Sequence, residues 1–373
     1  MLYTALLAFA CKGIAQELPL DAAGRQPSED DGQHRQVSEP HNGRVARHRS
    51  LKVLPVPALG YTPETGFYTG AVCLFTMDFY NDSLTRRSNA KLEFNYTWRR
   101  QLILESSWNY FFRHERWFTQ GLLRFSRYPD LYFGIGETSS EEAQIHYQST
   151  RRVADFNLLR DLGRRFFIGP QLRYLDYSVD QHEHDFFFPE LRSSVVKGAG
   201  YTLLRDSRDN LLNASKGLYL KLNNTYNLYE QSVYIKLGTD MRGYLRPFKT
   251  TVAALRFYNE WTVGDPPFFD YALMGGDQIA RGYFYGRYRE KNLSTLQGEV
   301  RSHLFWRIGL AAFGGFTKLY ADAHNLNLRY IKPNYGGGIR FLIDRKDNIN
   351  LRFDYAVGIG GQTGFYISFG ESF

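Results

Sequence analysis

From Lys52 onward the chain alternates. Ala90, Leu92, Phe94, Tyr96 and Trp98 are separated by Lys91, Glu93, Asn95 and Thr97. Successive side chains of a strand point to opposite faces, so the apolar groups fall on one side and the polar groups on the other. Leu102, Leu104, Trp108, Tyr110 and Phe112 resume the pattern after only Arg99-Arg100, which predicts a tight hairpin. Leu218, Leu220 and Leu222 alternate with Tyr219, Lys221 and Asn223, and Ile349, Leu351, Phe353, Tyr355 and Val357 with Asn350, Arg352, Asp354 and Ala356. A charged row backed by an aromatic row is the reverse of a soluble sandwich and fits strands with water on one face and lipid on the other.

The period of two predicts strands near 52–60, 67–79, 88–98, 101–113, 116–128, 144–157, 165–179, 194–206, 216–229, 231–246, 250–263, 294–307, 309–319, 335–343, 349–358 and 364–373, sixteen in all. Their connections segregate. One set is long (129–143, 180–193, 264–293, 320–334), and the other is short and polar, as in Asn81–Arg87, Asp161–Arg164, Pro247–Lys249 and Asp344–Asn348. Long loops outside and short turns in the periplasm are the asymmetry of outer-membrane barrels, and a count wrong by one would have scrambled it. The expected fold is an all-β, sixteen-stranded antiparallel transmembrane outer-membrane β-barrel, wide enough to admit a long loop.

Composition sharpens this. Tyr and Phe contribute 27 and 29 residues and Gly 34, while no run of 18 apolar residues exists, which excludes a transmembrane helix bundle. The net charge of +8 comes from cations placed singly inside alternating segments, a wetted interior rather than a phosphate-tracking groove, so no nucleic-acid partner is expected. Residues 1–15, with an apolar core from Leu2 to Ala10 and small residues at Gly13 and Ala15, read as a signal peptide. Residues 16–50 are polar, lack aromatics and read as a disordered periplasmic linker, leaving 51–373 as the barrel. With Cys11 in the leader, Cys73 has no partner for an internal disulfide.

Gly275–Lys291, the sequence GGDQIARGYFYGRYREK, does not look like a solvated loop. It is glycine-rich and basic yet holds Ile279, Tyr283, Phe284, Tyr285 and Tyr288. Such a segment belongs inside the barrel, where Arg281 requires an acidic or aromatic partner. Other candidate chemistry is thin. His182 and His184 beside Asp185 and Glu190 fall short of a metal site, and Gly336-Gly337-Gly338 lacks the Lys and Ser/Thr of a phosphate cradle. His114, His146, His303 and His324 are scattered with no nucleophile motif, so no enzyme, metal or cofactor is expected.

Several segments resemble the superfamily of bacterial surface antigens and outer-membrane assembly factors of the BamA and TamA type. Leu54–Gly70 resembles its opening hairpin. Asp206-Ser207-Arg208-Asp209-Asn210 followed by Asn213-Ala214-Ser215-Lys216-Gly217 is similar to its DxRDN…NPxxG turn, with Ala214 in place of proline. Arg281-Gly282-Tyr283 is similar to the Arg-Gly-aromatic tip of its sixth loop, and Glu299-Val300-Arg301 and Leu351–Ala356 match later strands. The resemblance implies that the sixth loop folds back into the lumen with Arg281 paired to the inner wall, Glu299 or Asp354 being the candidate partners beside Arg301. The aromatic-x-Asp-x-Gly acid of that family is missing from Phe313-Gly314-Gly315-Phe316. Only residues 16–50 precede the barrel, so the likeness is to the short branch without POTRA domains. The last segment, with Phe365, Ile367, Phe369 and Phe373 on one face, looks like a carboxy-terminal recognition strand, from which Glu371 departs.

The function this implies is help in inserting or translocating proteins at the outer membrane. Its seam would lie between a first strand carrying Pro55 and Pro57, which cannot donate to a ladder, and a last strand ending at Phe373. The expected partners are outer-membrane lipid, other assembly subunits and client proteins. The alternative is a passive pore or a structural barrel subunit of a larger complex.

Overall fold

The computed structural model describes residues 16–19, 50–62, 66–80, 85–140, 142, 144–182, 191–322, 327, 329–345 and 348–373. The leader, residues 20–49, and His184, Asp185, Glu190 and His324 lie outside the described residues. The chain folds as β1 (Gln16–Pro19), β2 (Ser50–Thr62), β3 (Gly66–Asp78), β4 (Ser88–Thr97), β5 (Leu102–Phe111), β6 (Trp117–Tyr132), β7 (Ile145–Asp161), β8 (Phe166–His182), β9 (Ser194–Asp206) and β10 (Gly217–Tyr229). There follow β11 (Ser232–Phe248), β12 (Thr251–Val263), β13 (Ala272–Met274), β14 (Tyr288–Glu290), β15 (Asn292–Phe305), β16 (Ile308–Tyr320), β17 (Lys332–Asp344), β18 (Ile349–Val357) and β19 (Thr363–Phe369). All but β13 and β14 form one seventeen-stranded antiparallel sheet, each strand paired with the next along the chain.

The alternation sorts the two faces. Leu92, Phe94, Tyr96 and Trp98 are exposed on the outer face of β4 while Asn95 and Thr97 are buried within. Across the sheet, β18 exposes Tyr355 and buries Arg352 and Asp354. The strands β6, β7 and β8 run to 16 and 17 residues, beyond the roughly 9–11 that cross a bilayer. Their extensions rise on the long-loop side, where Tyr132, Tyr147 and Tyr177 close around Phe268 and Phe269 of the long loop.

Three expectations need correction. Ile349 does not share the outer row of β18, because the register shifts between Leu342 and Asp344 and turns it into an inner cluster with Ala58, Val72 and Leu74. Gln16–Pro19, placed in a structureless linker, is a strand paired with Ser50–Val53. Most consequential, the last strand ends at Phe369. Gly370 adopts a left-handed φ of 76°, and residues 371–373 turn inward, so Phe373 is buried against Ala214, Tyr244 and Ala254 rather than lying on a lipid-facing strand or at the seam.

Candidate functional site

Alternation sends one charged side chain after another into the same region of the interior. On β15, Glu299 and Arg301 point inward beside exposed Val300, and Arg340 on β17 does so beside exposed Ile339. Arg352 and Asp354 on β18 follow the same parity, and the loop tip meets all of them. Arg281 donates from Nη1 to Asp354 Oδ2 at 2.5 Å and from Nη2 to Glu299 Oε2 at 2.6 Å. Its guanidinium carbon stands 3.4 Å from the ring centroid of Phe313, where the electron-rich face receives the cation. Both acids named from the sequence are therefore engaged at once, and in place of the missing acid of β16 stands an aromatic ring.

The rest of the tip is set by contact. Gly282 has φ 104°, and a Cβ there would come within 2.9 Å of the Val357 carbonyl carbon, so only glycine fits. Its N–H donates to Tyr366 Oη at 2.9 Å. Fully buried Tyr283 donates its hydroxyl to Pro333 O at 2.7 Å and accepts from Ile359 N at 2.9 Å. The loop stem is held by the β13–β14 ladder and by Asp270, which receives Arg173 Nη1 at 2.6 Å and carries Lys236 and Tyr234 as further donors.

The ion network extends past the residues foreseen. Arg340 donates to Asp354 Oδ1 at 2.5 Å and to Glu371 Oε2 at 2.8 Å; Arg352 donates to Asp277 Oδ1 at 2.5 Å. Arg301 approaches Glu299 and Glu371 at 3.8 and 3.7 Å and donates to Ala214 O at 2.9 Å. Arg281, Arg301, Arg340 and Arg352 thus face Asp277, Glu299, Asp354 and Glu371, a balanced set in which each buried charge is offset. Asp277, Arg340, Arg352, Phe313 and Tyr366 were not assigned to the site by the sequence. Strand parity was the available signal for Arg340 and Arg352, and Glu371 was visible as the charge interrupting an apolar row.

The turn after β9 is a second fixed structure. Arg208 grips Asp206 with two bonds of 2.9 Å and lies 4.4 Å over the Tyr219 ring. Asn210 Oδ1 accepts from the N–H groups of Leu212 and Asn213, and Asp209 Oδ1 from those of Ser215 and Lys216. Gly217, at φ 108°, leaves no room for a Cβ beside Ser207 O. The turn crosses beneath the sheet and reaches three separate apolar clusters through Leu211, Leu212 and Ala214. Burial pushes the Asp209 carboxyl up, but the Ser215 hydroxyl and the backbone donors outweigh it and hold the group below its usual value. A depressed carboxylate contributes above its unfolded pKa, about 4, and stops contributing as pH falls through the folded value. Hydrogen exchange of the 207–217 peptide, corrected for intrinsic rate, is expected to accelerate on acidification below about pH 4 and to become pH-independent in Asp209→Asn.

At the edge of the sheet, Pro55 and Pro57 are exposed on β2, in register with Cys73 and Ala71 of β3. Among the described residues no backbone ladder joins β2 to β19. Their contact runs through side chains. Leu54 of β2 and Phe369 of β19 pack on one apolar cluster around Ile349, and from the neighbouring strand Tyr68 of β3 donates its hydroxyl to Ile367 O of β19 at 2.9 Å.

An antiparallel sheet with an aromatic outer face, an ionic inner face and a long loop packed against that inner face is the arrangement of the outer-membrane β-barrel class. The chain matches the Omp85 superfamily domain over residues 80–373 and belongs to that superfamily, which places it in the bacterial outer membrane. Its fold is similar to that of BamA from Haemophilus ducreyi lacking POTRA domains 1–3, with TM-score 0.55 and 13% identity over 86% of this chain and 70% of that one. It is also similar to CdiB from Acinetobacter baumannii (0.55, 14%, 85% and 59%) and CdiB from Escherichia coli (0.54, 11%, 84% and 62%). The chain thus spans about three fifths of either CdiB. No curated protein matches it in sequence. The superfamily serves protein assembly or translocation at the outer membrane.

Proposed function

We propose that β2–β12 and β15–β19 close as a sixteen-stranded transmembrane barrel that assists the insertion or translocation of client proteins, without enzymatic chemistry, through a seam between β2 and β19. One observation carries this reading. Every consecutive pair in the sheet has a register of backbone partners, whereas among the described residues none joins β2 to β19, whose side chains Leu54 and Phe369 pack on one apolar cluster. Pro55 and Pro57 remove two donors from β2, so a client strand presented there competes with side-chain contacts and not with a formed ladder. The edge of β2 away from β3 pairs with Gln16–Pro19 over four residues, which illustrates that it accepts a strand. The interior filled by the long loop favours this role over a passive pore.

The test is a covalent bar across the seam. Leu54 and Phe369 contribute to one apolar cluster, so Leu54→Cys with Phe369→Cys, in a Cys73→Ser background, should oxidise to a disulfide. In proteoliposomes the oxidised protein is expected to lose insertion of a β-barrel client and to regain it on reduction. Equal activity of the oxidised and reduced forms would remove the seam from the mechanism.

A further inference from the structure

The end of the barrel that carries the short turns bears an uneven charge. In the turns joining β5–β6, β7–β8 and β11–β12, Arg113, Arg116, Arg164, Arg165, Arg246 and Lys249 are all exposed. The acids of these turns are withdrawn. Glu115 is buried and bonded to Arg86, and half-buried Asp161 accepts from Gly163 N at 2.9 Å. Among the described residues no acid lies within ion-pair reach of Arg113, Arg116, Arg164, Arg165 or Lys249. Each of the three turns also carries an exposed apolar residue close to a cation: Trp117 next to Arg116, Leu162 two residues before Arg164, Phe248 next to Lys249. The β15–β16 turn repeats the theme with Trp306, 63% exposed, beneath Arg307.

Backbone conformation adds a separate observation. Arg164 and Arg165 hold φ of 55° and 60°, the paired left-handed positions of a tight hairpin that favour asparagine and glycine. Two arginines there carry strain that a neutral Asn-Gly turn would avoid, and such strain points to a role for the side chains.

We infer that this rim binds the phosphate headgroups of anionic phospholipid in the periplasmic leaflet, with guanidinium and ammonium groups at headgroup level and the adjacent Trp, Leu and Phe side chains in the acyl boundary. The distribution selects lipid over protein. A docked protein covers one contiguous patch, whereas these cations sit on turns separated by two to four strands around the barrel and match only a surface that encircles it. Guanidinium forks fit phosphate oxygens, and amphipathic aromatics belong at the interface.

The experiment uses the purified chain in detergent with equimolar phosphatidylglycerol and phosphatidylcholine, and native mass spectrometry to count each retained lipid. Phosphatidylglycerol is expected to be retained preferentially, and less so as salt rises. The variant R113Q/R116Q/R164N/R165N should lose the preference, by roughly fivefold per cation that contacts a headgroup. Asparagine suits the left-handed turn better than arginine, so the R164N/R165N pair alone serves as a variant whose partial loss cannot come from misfolding; heat-modifiable mobility checks the fold of both. Equal retention of the two lipids by the native chain, or an undiminished preference in the fourfold variant, overturns the assignment. So does retention of soluble polyglutamate with no preference between the lipids, which would give the rim to an acidic protein.

Discussion

Replacing Arg281 with alanine is expected to release the long loop from the barrel interior and to cost about 3–5 kcal/mol, the range for removing one partner of a buried ion pair. The guanidinium joins Glu299 on β15 to Asp354 on β18 while stacking on Phe313 of β16, so three strands lose a common anchor together. Arg340 stays within reach of both acids, at 2.5 Å from Asp354 and 3.4 Å from Glu299, and offsets part of the loss. Arg281→Lys should recover little. A single ammonium lacks the planar fork that serves two carboxylates and a ring face simultaneously. Thermal unfolding in detergent should show a lowered Tm for both variants, and planar-bilayer recordings should show larger conductance steps as the loop vacates the interior. An alanine variant with native Tm and native conductance would mean that the loop is held by its stem alone, through Asp270 and the β13–β14 ladder.

How much of this was readable beforehand depends on the range of the interaction. Alternation is local, and it placed Tyr355 outside and Arg352 and Asp354 inside without any knowledge of neighbours. The odd composition of Gly275–Lys291 likewise announced burial, because aromatic and glycine content conflicts with a solvated loop. Pairing across the interior is a different matter. Arg281 and Asp354 are 73 residues apart, and which of several inward acids it meets follows from barrel curvature and loop length. Phe313 was passed over because an acid was sought at that place, and a ring face can receive a guanidinium too. The tail failed for a local reason with a distant cause. Phe365, Ile367, Phe369 and Phe373 share one parity, but Gly370 breaks the strand before the pattern ends, and Glu371 finds Arg340 and Asn350 only by turning inward.

That inward turn gives the second large effect. Gly370→Val is expected to expel residues 371–373 from the interior. Valine at φ 76° is strained by about 1–2 kcal/mol, and its Cβ would press on Leu212 O, 3.3 Å from the ideal position. An extended residue 370 would instead continue the β18–β19 register past Leu351–Phe369. Ser372 reports the change: it is 6% exposed, with its hydroxyl on Asp277 O at 3.0 Å, so Ser372→Cys in a Cys73→Ser background should be shielded from a membrane-impermeant maleimide. Adding Gly370→Val should speed labelling roughly 5- to 30-fold, the population change that 1–2 kcal/mol produces. Gly370→Asn, which tolerates the left-handed region, should leave the shielding nearly intact. Equal labelling in all three would show that Glu371 and Phe373 hold the tail against the strain at residue 370. Accelerated labelling would instead tie the seam to the ion network, since the segment that ends β19 also bonds Arg340 and, through Asp277, the loop that carries Arg281.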